Sequence, residues 1–399
     1  DFYKKSIAIN PNLIDAYINL SISLNKNGDL DEAINYSENA KKKDPKNVAL
    51  LHNLGKYYQE IGKEDVSISY YKKAIEIEPK NLRSRWLLMN TFPIVYKNYE
   101  QINYFKKNFE ENLKIIEDII TKNNNFKKEQ ILSVLNSSTN FYLHYLGEDI
   151  TSLQKRYGAI VSKLTEYAYP QFHKKISQNN HSEFIKIGFV SSYFYEGVVS
   201  KLFKNWIIKL NKKKFKSYVY HVGEKIDYVT DLIKEKCNNF FNKKNIEEII
   251  NRIIADKLDI IIFLDVGMEP KMQILGSLKL APIQCCAYGV PVTTGFKNID
   301  YFLSGEIMET ASSQEHYLEK LVKLSDLAVD YDVPKKININ NLHSKNEKNK
   351  TIFLCLQNYY KLLPQHDHIY LEIIKKIPRC KLWFVRAKNE FIGDKFKER

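Results

Sequence analysis

The chain has 399 residues, enough for two or three domains that each bury a core. Hydrophobic residues make up 44% of it, which excludes wholesale disorder. The net charge of +14 (61 Lys and Arg against 47 Asp and Glu) is spread along the chain without a motif of any nucleic-acid-binding fold. We therefore expect no nucleic-acid partner.

Three prolines near the N-terminus recur with a fixed period. Pro11, Pro45 and Pro79 are 34 residues apart, which is the length of a tetratricopeptide (TPR) repeat. Each proline closes a segment with apolar residues at helical spacing, and small residues such as Ala74 let paired helices approach. The period predicts a TPR α-solenoid over residues 1–92, whose groove holds an extended peptide. A rigid spacer without a ligand is the alternative.

A helical connector is predicted after the repeats. Phe92 and Pro93 interrupt what would be a further repeat, and residues 102–120, 140–146 and 153–167 continue in helical period. We therefore assign residues 93–180 to a connector.

From residue 185 onward, predicted strands alternate with predicted helices. The strands are at 185–192, 215–222, 259–265, 283–288 and 301–303, and the helices at 198–210, 226–236, 246–257 and 270–280. This alternation predicts a doubly wound, Rossmann-like parallel sheet over residues 181–335. No G-x-G-x-x-G follows the first strand, so a dinucleotide-binding fingerprint is absent.

A polar stretch and one further β-α-β unit close the sequence. We predict a linker at 336–350 from its Asn, Lys and Ser content. Strands at 351–357 and 380–386 flank a helix predicted at 363–377. We expect residues 351–399 to be the incomplete start of a second Rossmann-like half.

Residues 289–295, Gly-Val-Pro-Val-Thr-Thr-Gly, join two predicted strands. They place two glycines, a proline and two hydroxyls in one turn. At the carboxyl end of a strand in an open α/β sheet, such a loop can hydrogen-bond a polar ligand. The same residues are typical of a tight structural turn. The spacing alone leaves both interpretations open.

The cysteines and the hydropathy bear on the compartment. The five cysteines form no C-x-x-C pair, and most lie in or beside apolar runs, as free thiols do in a reducing environment. The sequence has no signal peptide and no apolar run of about 18 residues. We expect a cytoplasmic protein without a membrane partner. Because the first residue is Asp1, we also expect the chain to be a fragment.

Six segments follow one another along the chain: Lys186-Ile-Gly-Phe-Val-Ser-Ser192, Leu264-Asp-Val-Gly-Met-Glu-Pro270, Leu280-Ala-Pro-Ile-Gln284, residues 289–295, Asp300-Tyr-Phe-Leu-Ser304 and residues 357–364. Together with the repeats, the connector and the two Rossmann-like parts, they resemble the O-GlcNAc transferase family, in particular its bacterial members. The resemblance implies an N-terminal TPR α-solenoid followed by a glycosyltransferase B-type Rossmann-like domain, with the second Rossmann-like domain truncated. It also implies inverting transfer of N-acetylglucosamine, or a related sugar, from a UDP-sugar to Ser or Thr of proteins held by the TPR groove.

The resemblance further implies roles for individual residues. Lys361 matches the family's diphosphate-contacting lysine, and a cation is needed there because displacing UDP builds negative charge on the diphosphate. Gln357 or Asn358 matches a position that hydrogen-bonds the nucleotide. The residues that match the loop approaching the sugar and the acceptor are Gly289, Pro291, Thr293 and Thr294.

We expect no metal and no cofactor, with UDP-GlcNAc as the donor substrate. The Asp-x-Asp at Asp330 and Asp332 lacks further oxygen ligands. His366 and His368 lie in the first turn of a predicted helix, where Asp367 favours the helix dipole rather than a metal.

Two positions depart from the family's pattern. Gly197 follows the first strand where the family usually has a histidine, and Val290 stands where bacterial members often have one. Tyr193, Tyr195 or Glu196 would then have to serve as the general base. These departures leave two alternatives, a non-catalytic TPR scaffold with a degenerate transferase domain and a glycosyltransferase that acts on a non-protein acceptor. We also expect a fragment without the rest of the donor site to be inactive alone.

Overall fold

A computed structural model of the chain describes residues 2–123, 125–177, 183–333, 350–387 and 389–399. The chain divides into two compact units. The linker predicted at 336–350 lies outside the described residues except for Lys350, and the predicted domain boundaries stay predictions. The first unit comprises Asp1–Ile116, Tyr142–Glu148 and Ile337–Arg399, and the second comprises Glu117–Phe141 and Asp149–Lys336.

The described residues form α-helices and short 3-10 helices in both units. The α-helices are α1 (Phe2–Ile9), α2 (Ile14–Asn27), α3 (Leu30–Lys43), α4 (Val48–Glu60), α5 (Glu64–Ile77), α6 (Leu82–Met89), α7 (Tyr99–Lys122), α8 (Lys128–Leu135), α9 (Thr151–Ala168), α10 (Val198–Ile208), α11 (Tyr228–Lys236), α12 (Ile246–Asp256), α13 (Pro270–Ser277), α14 (Asp367–Lys376) and α15 (Glu390–Glu398). The 3-10 helices are Phe141–Tyr145, Pro170–His173, Glu306–Met308, Ser313–His316, Tyr359–Lys361 and Pro364–His366.

The strands, all in parallel pairs, form two sheets. They are β1 (Ile185–Ser191), β2 (Phe215–His221), β3 (Asn239–Asn242), β4 (Ile260–Phe263), β5 (Ile283–Ala287), β6 (Tyr301–Gly305), β7 (Lys320–Leu324), β8 (Thr351–Cys355) and β9 (Cys380–Phe384).

Paired helices α1 to α6 form the repeats of the first unit. Ala33, Ala40 and Ala74 are completely buried, because a larger side chain would hold the paired helices apart. After Pro45 and Pro79 an asparagine caps the next helix: the side chain of Asn47 accepts from the backbone N–H of Leu50, and that of Asn81 accepts from the backbone N–H of Ser84. At these two positions the 34-residue period therefore marks the start of the next helix as well as the end of the preceding one. The helix after Pro11 has Leu13 at its N-cap and begins without a side-chain cap.

The second unit is built on a seven-stranded sheet in the order β3-β2-β1-β4-β5-β6-β7. Strand β1 pairs with β2 on one side, Phe189 opposite Val219, and with β4 on the other, Gly188 opposite Ile261. The strand order reverses between β1 and β4, and ligands of open α/β sheets bind outside the carboxyl ends of the strands at such a switch point. The predicted Rossmann-like sheet is confirmed, and its switch point lies between two strands that the sequence identified.

Several local predictions differ from the structure. The sequence analysis did not predict strands β3 and β7. Both are short edge strands without an apolar run, and their residues are exposed or half-buried. The helix expected at 363–377 begins as a 3-10 turn at Pro364, since proline fixes the entry, and becomes α-helical only at Asp367. Residues 141–145 form a 3-10 rather than an α-helix.

In the first unit, β8 and β9 form a two-stranded parallel sheet, with Thr351 opposite Cys380. Helix α14 lies between them in sequence, as the β-α-β pattern predicts. Within the described part of the chain, none of the helices is both long enough and apolar enough to pass through a bilayer.

Candidate functional site

A cleft opens at the carboxyl ends of β1, β2 and β4 in the second unit. Its volume is about 630 Å³, within the usual size of a small-molecule site. Because it lies at the switch point of the sheet, it is the position where this fold binds ligands. The lining residues are Asn136, Ser192, Tyr193, Tyr195, Val222, Gly223, Glu224, Lys225, Lys244, Ile246, Glu269, Pro270 and Lys271.

Asp265 stands directly after β4, behind the cleft lining, and is fully buried. The backbone N–H of Ser192, at the end of β1, donates to its Oδ2 at 3.3 Å, while Oδ1 has no hydrogen-bond partner among the described residues. Burial, with a smaller contribution from the nearby charge of Glu269, raises the pKa of Asp265 to about 7. A carboxyl with this pKa is largely in its acid form below neutral pH.

Tyr193 and Glu269 connect the loop after β1 to the loop after β4. The Tyr193 hydroxyl donates to Oε1 of Glu269 at 3.0 Å. Burial holds the pKa of Tyr193 well above its usual range, and the neighbouring carboxylates of Glu269 and Asp265 add to the effect. Tyr193 therefore remains a protonated donor at neutral pH.

Gly289, the first residue of the predicted sugar-facing loop, lies where two loops meet. A Cβ at this position would come within 2.0 Å of the carbonyl oxygen of Leu264, so only glycine lets the loop after β5 pass the loop after β4. Gly295 ends the loop with φ +71°, and a Cβ there would meet the carbonyl of Gln154 on α9 at 2.4 Å. Both glycines thus have packing reasons to be present.

The two threonines of this loop are buried and hold a buried carboxylate. Thr293 Oγ1 donates to Oε2 of Glu319 at 2.6 Å. The backbone N–H of Thr294 donates to Oε1 at 2.9 Å, and the Thr294 hydroxyl donates to the same oxygen. Glu319 is only 2% exposed, so these bonds satisfy a charge that would otherwise be costly to bury. The structure thus gives both hydroxyls a partner within the fold, and their predicted contact with a sugar stays a prediction.

The other positions singled out in the sequence, Pro291, Val290 and Gly197, are not among the residues that line the cleft. Pro291 is exposed, and Val290 is 3% exposed. Gly197 precedes α10 with extended backbone, and a Cβ there would meet nothing closer than the ring of Tyr195 at 3.6 Å. The fold therefore does not require glycine at 197, and no imidazole occupies that place.

The predicted nucleotide-binding residues lie in the first unit, at the end of β8. Gln357, Asn358 and Lys361 are all exposed. Lys361 Nζ lies 5.4 Å from the centre of the Tyr145 ring, which is within the range of a cation–π contact. The Tyr360 ring packs edge-on against Tyr145, at 4.8 Å between centroids. This aromatic support holds an exposed ammonium group beside the carboxyl end of a parallel strand.

Possible metal ligands are scarce in the described ranges. No cluster of three or more His, Cys, Asp or Glu side chains there could hold a metal ion. Asp332 pairs with Lys204, and Asp330 pairs with Lys209. Metal independence stays a prediction.

Comparison with known proteins places the chain in a family. Residues 107–328, more than half of the sequence, match the model of Glycosyl transferase family 41. The chain belongs to this family. Tetratricopeptide repeat models match residues 2–35 and 48–81. The resemblance to O-GlcNAc transferases and the TPR-plus-Rossmann fold class are confirmed, and the family 41 region contains the whole seven-stranded sheet and its cleft.

The relatives of this family 41 chain include plant proteins. A probable UDP-N-acetylglucosamine–peptide N-acetylglucosaminyltransferase of Arabidopsis thaliana, SEC, is 26% identical over 216 residues, which cover 51% of this chain and 22% of the relative. A second, SPINDLY of the same plant, is 23% identical over 237 residues and covers 58% and 26%. The chain thus spans about a quarter of the length of these curated relatives.

A solved structure has the same fold. A mutant O-GlcNAc transferase of Thermobaculum terrenum superimposes with a TM-score of 0.62 at 17% identity. The alignment covers 93% of this chain and 68% of the other.

Sequence reasoning missed three acidic residues of the second unit. Asp265 carried a usable signal, a polar residue directly after a wholly apolar strand, and Glu269 follows in the same loop. Glu319 carried none, because its partners Thr293 and Thr294 are distant in sequence.

Proposed function

We propose that this chain forms part of a protein O-glycosyltransferase that transfers N-acetylglucosamine from UDP-GlcNAc to Ser or Thr hydroxyls of proteins. The family 41 match across the sheet and its cleft carries the proposal. The relatives SEC and SPINDLY are named as probable UDP-N-acetylglucosamine–peptide N-acetylglucosaminyltransferases, which supports the donor and the peptide acceptor.

The proposed chemistry is an inverting displacement without a metal. The acceptor hydroxyl attacks the anomeric carbon from the face opposite the leaving group, and UDP departs with the electron pair of the broken bond. A cation stabilises the transition state most when it lies where that negative charge develops. Lys361 supplies an ammonium group, and Gln357 or Asn358 supplies amide hydrogen-bonding groups for the nucleotide. Transfer in the presence of EDTA is the expected result for a metal-independent reaction.

The remaining predicted UDP-sugar-binding residues belong to the loop that we propose approaches the sugar and the acceptor. The loop follows β5 and contains Gly289, Pro291, Thr293 and Thr294. Because both threonine hydroxyls bind Glu319, we propose that the loop's backbone and the exposed Pro291 face the sugar. The TPR stack of the first unit is the proposed binding surface for the acceptor protein. Paired helices with fully buried alanines support such a rigid binding surface.

A second candidate function is a TPR scaffold whose transferase domain has lost its chemistry. The glycine at 197 and the buried valine at 290 favour it, because both stand where the family often has histidine. Sugar transfer by the full-length protein would exclude this alternative.

Calorimetric titration of the full-length protein with UDP tests the proposal. Lys361→Ala is expected to weaken UDP binding at least about tenfold, because a charge-assisted contact to phosphate is worth roughly 1.5–3 kcal/mol. Lys375→Ala, which removes an exposed lysine from α14, is the matched control and should bind UDP as the unmodified protein does. An absence of binding at millimolar UDP would contradict the proposal, and equal affinity of both variants would remove Lys361 from the mechanism.

A further inference from the structure

The cleft at the switch point contains two carboxylates with different surroundings. Glu224, on the loop after β2, is exposed and pairs with Lys244 at 3.4 Å. Glu269, on the loop after β4, is half-buried and makes no ion pair within the described part of the chain. The other ionisable side chains that line the cleft are Tyr193, Tyr195, Lys225, Lys244 and Lys271. Glu269 is therefore the carboxylate whose charge is not already neutralised by a partner.

The Tyr193 contact orients Glu269 without occupying all of it. The phenolic hydroxyl donates to Oε1 at 3.0 Å, and the described residues provide no hydrogen bond to Oε2. An ionised carboxylate accepts on both oxygens, so Oε2 remains available to a ligand hydroxyl. An anchored side chain with one free acceptor is the arrangement expected of a proton acceptor.

Asp265 would compete with this role if it were ionised. It is fully buried, and burial raises its pKa to about 7, so its acid form adds little negative charge beside Glu269. Neighbouring carboxyls with unequal surroundings can serve different roles, and Asp265 is the one removed from solvent.

The other side chains of the β1 loop are poorly suited to take a proton. Tyr193 keeps its own proton, since burial and the neighbouring carboxylate of Glu269 raise its pKa. The pKa of Tyr195 is also raised, first by burial, and the Tyr195 ring carries Lys225 over its face at 4.5 Å. Glu196 is exposed and lies outside the cleft lining.

We infer that Glu269 is the general base of the sugar transfer, with Tyr193 as its positioning residue; the inference rests on the proposed function. The acceptor oxygen forms a bond to the anomeric carbon while its proton passes to Oε2 of Glu269. The bond between the anomeric carbon and the UDP oxygen breaks, and UDP leaves with that electron pair. The carboxylic acid then returns the proton to solvent. The base thus stands on the loop after β4 instead of at position 197.

The test measures transfer of label from radiolabelled UDP-GlcNAc to the proteins of a cell extract by the full-length protein. Glu269→Gln keeps the shape of the side chain but cannot accept the proton, so the rate is expected to fall about 100-fold or more. UDP affinity, measured by calorimetry, should not change. The fall in rate should be at least about tenfold smaller in Glu224→Gln than in Glu269→Gln, because a general base contributes more to the rate than an exposed ion pair does. Glu235→Gln, an exposed site on α11, should keep the full rate.

A second variant separates chemistry from folding. Glu269→Ala should regain part of its rate when formate is added, because a small carboxylate can enter the space left by the side chain and accept the proton. Full activity of Glu269→Gln, an equal loss in Glu224→Gln, or an absence of rescue by formate would each overturn the inference while leaving the proposed function standing. An absence of transfer by the unmodified protein would overturn both.

Discussion

Replacing Glu319 by glutamine is expected to destabilise the loop at 289–295. The substitution keeps the side chain's shape and removes its charge, while the side chain accepts from Thr293 Oγ1, Thr294 N and Thr294 Oγ1. Hydrogen bonds to a charged group contribute roughly 1.5–3 kcal/mol, and neutral ones about 1 kcal/mol. Three weakened bonds amount to about 3 kcal/mol, partly offset because burying a neutral amide is easier than burying a carboxylate. We expect a net loss of about 2 kcal/mol.

Thermal unfolding followed by near-ultraviolet circular dichroism measures this loss. For a unit of this size, about 2 kcal/mol corresponds to a fall in Tm of roughly 4–8 °C. Glu315→Gln is the matched control, because Glu315 is exposed four residues earlier and should change Tm by no more than about 1 °C. If Glu319→Gln melted together with this control, the threonine–carboxylate cluster would not be what holds the loop.

Two further predictions concern pH. Asp265 has a folded pKa of about 7, above its ordinary value, so the unfolded chain loses that proton first and stability falls as pH rises from about 4 to 7. Between pH 5 and 8, the free energy of unfolding should therefore fall by about 2–3 kcal/mol less in Asp265→Asn than in the unmodified protein, as measured by urea titration. An equal fall in both proteins would refute the raised pKa of Asp265. His52 is the opposite case, because burial lowers the pKa of its ring to about 3. The ring makes a hydrogen bond with the Ser84 hydroxyl at 2.8 Å. The unfolded chain therefore takes up the proton first as the pH falls below about 6.5. Lowering the pH from 7 to 5 should destabilise the TPR helices by about 2 kcal/mol, less so in His52→Gln, and equal pH dependence of both proteins would contradict this.

The sequence predicts features that are set by local patterns. Pro45 and Pro79 reveal the repeats because helix ends, caps and small residues recur at a fixed spacing. The apolar strand β4 is evident because both of its faces are buried in a parallel sheet. Strands β3 and β7 lack such a pattern because they are the two short edge strands of the sheet.

The site is less readable, because its contacts join residues far apart in sequence. Thr293 and Thr294 suggest a ligand loop, yet their hydroxyls bind Glu319, some 25 residues later. Gly289 suggests a turn or a ligand contact, and the close approach to Leu264 gives the glycine a reason of its own. Glu269 gains its significance only when β1 and β4 are adjacent, which brings Tyr193 to it.

Sugar transfer is the measurement that tests the central claim most directly. The full-length protein is incubated with UDP-GlcNAc and the proteins of a cell extract, and modified peptides are identified by mass spectrometry. We predict N-acetylhexosamine on Ser or Thr side chains, formed in the presence of EDTA and reduced at least about tenfold in Lys361→Ala. The absence of any sugar-modified peptide, in a preparation that binds UDP, would contradict the account and favour the scaffold alternative.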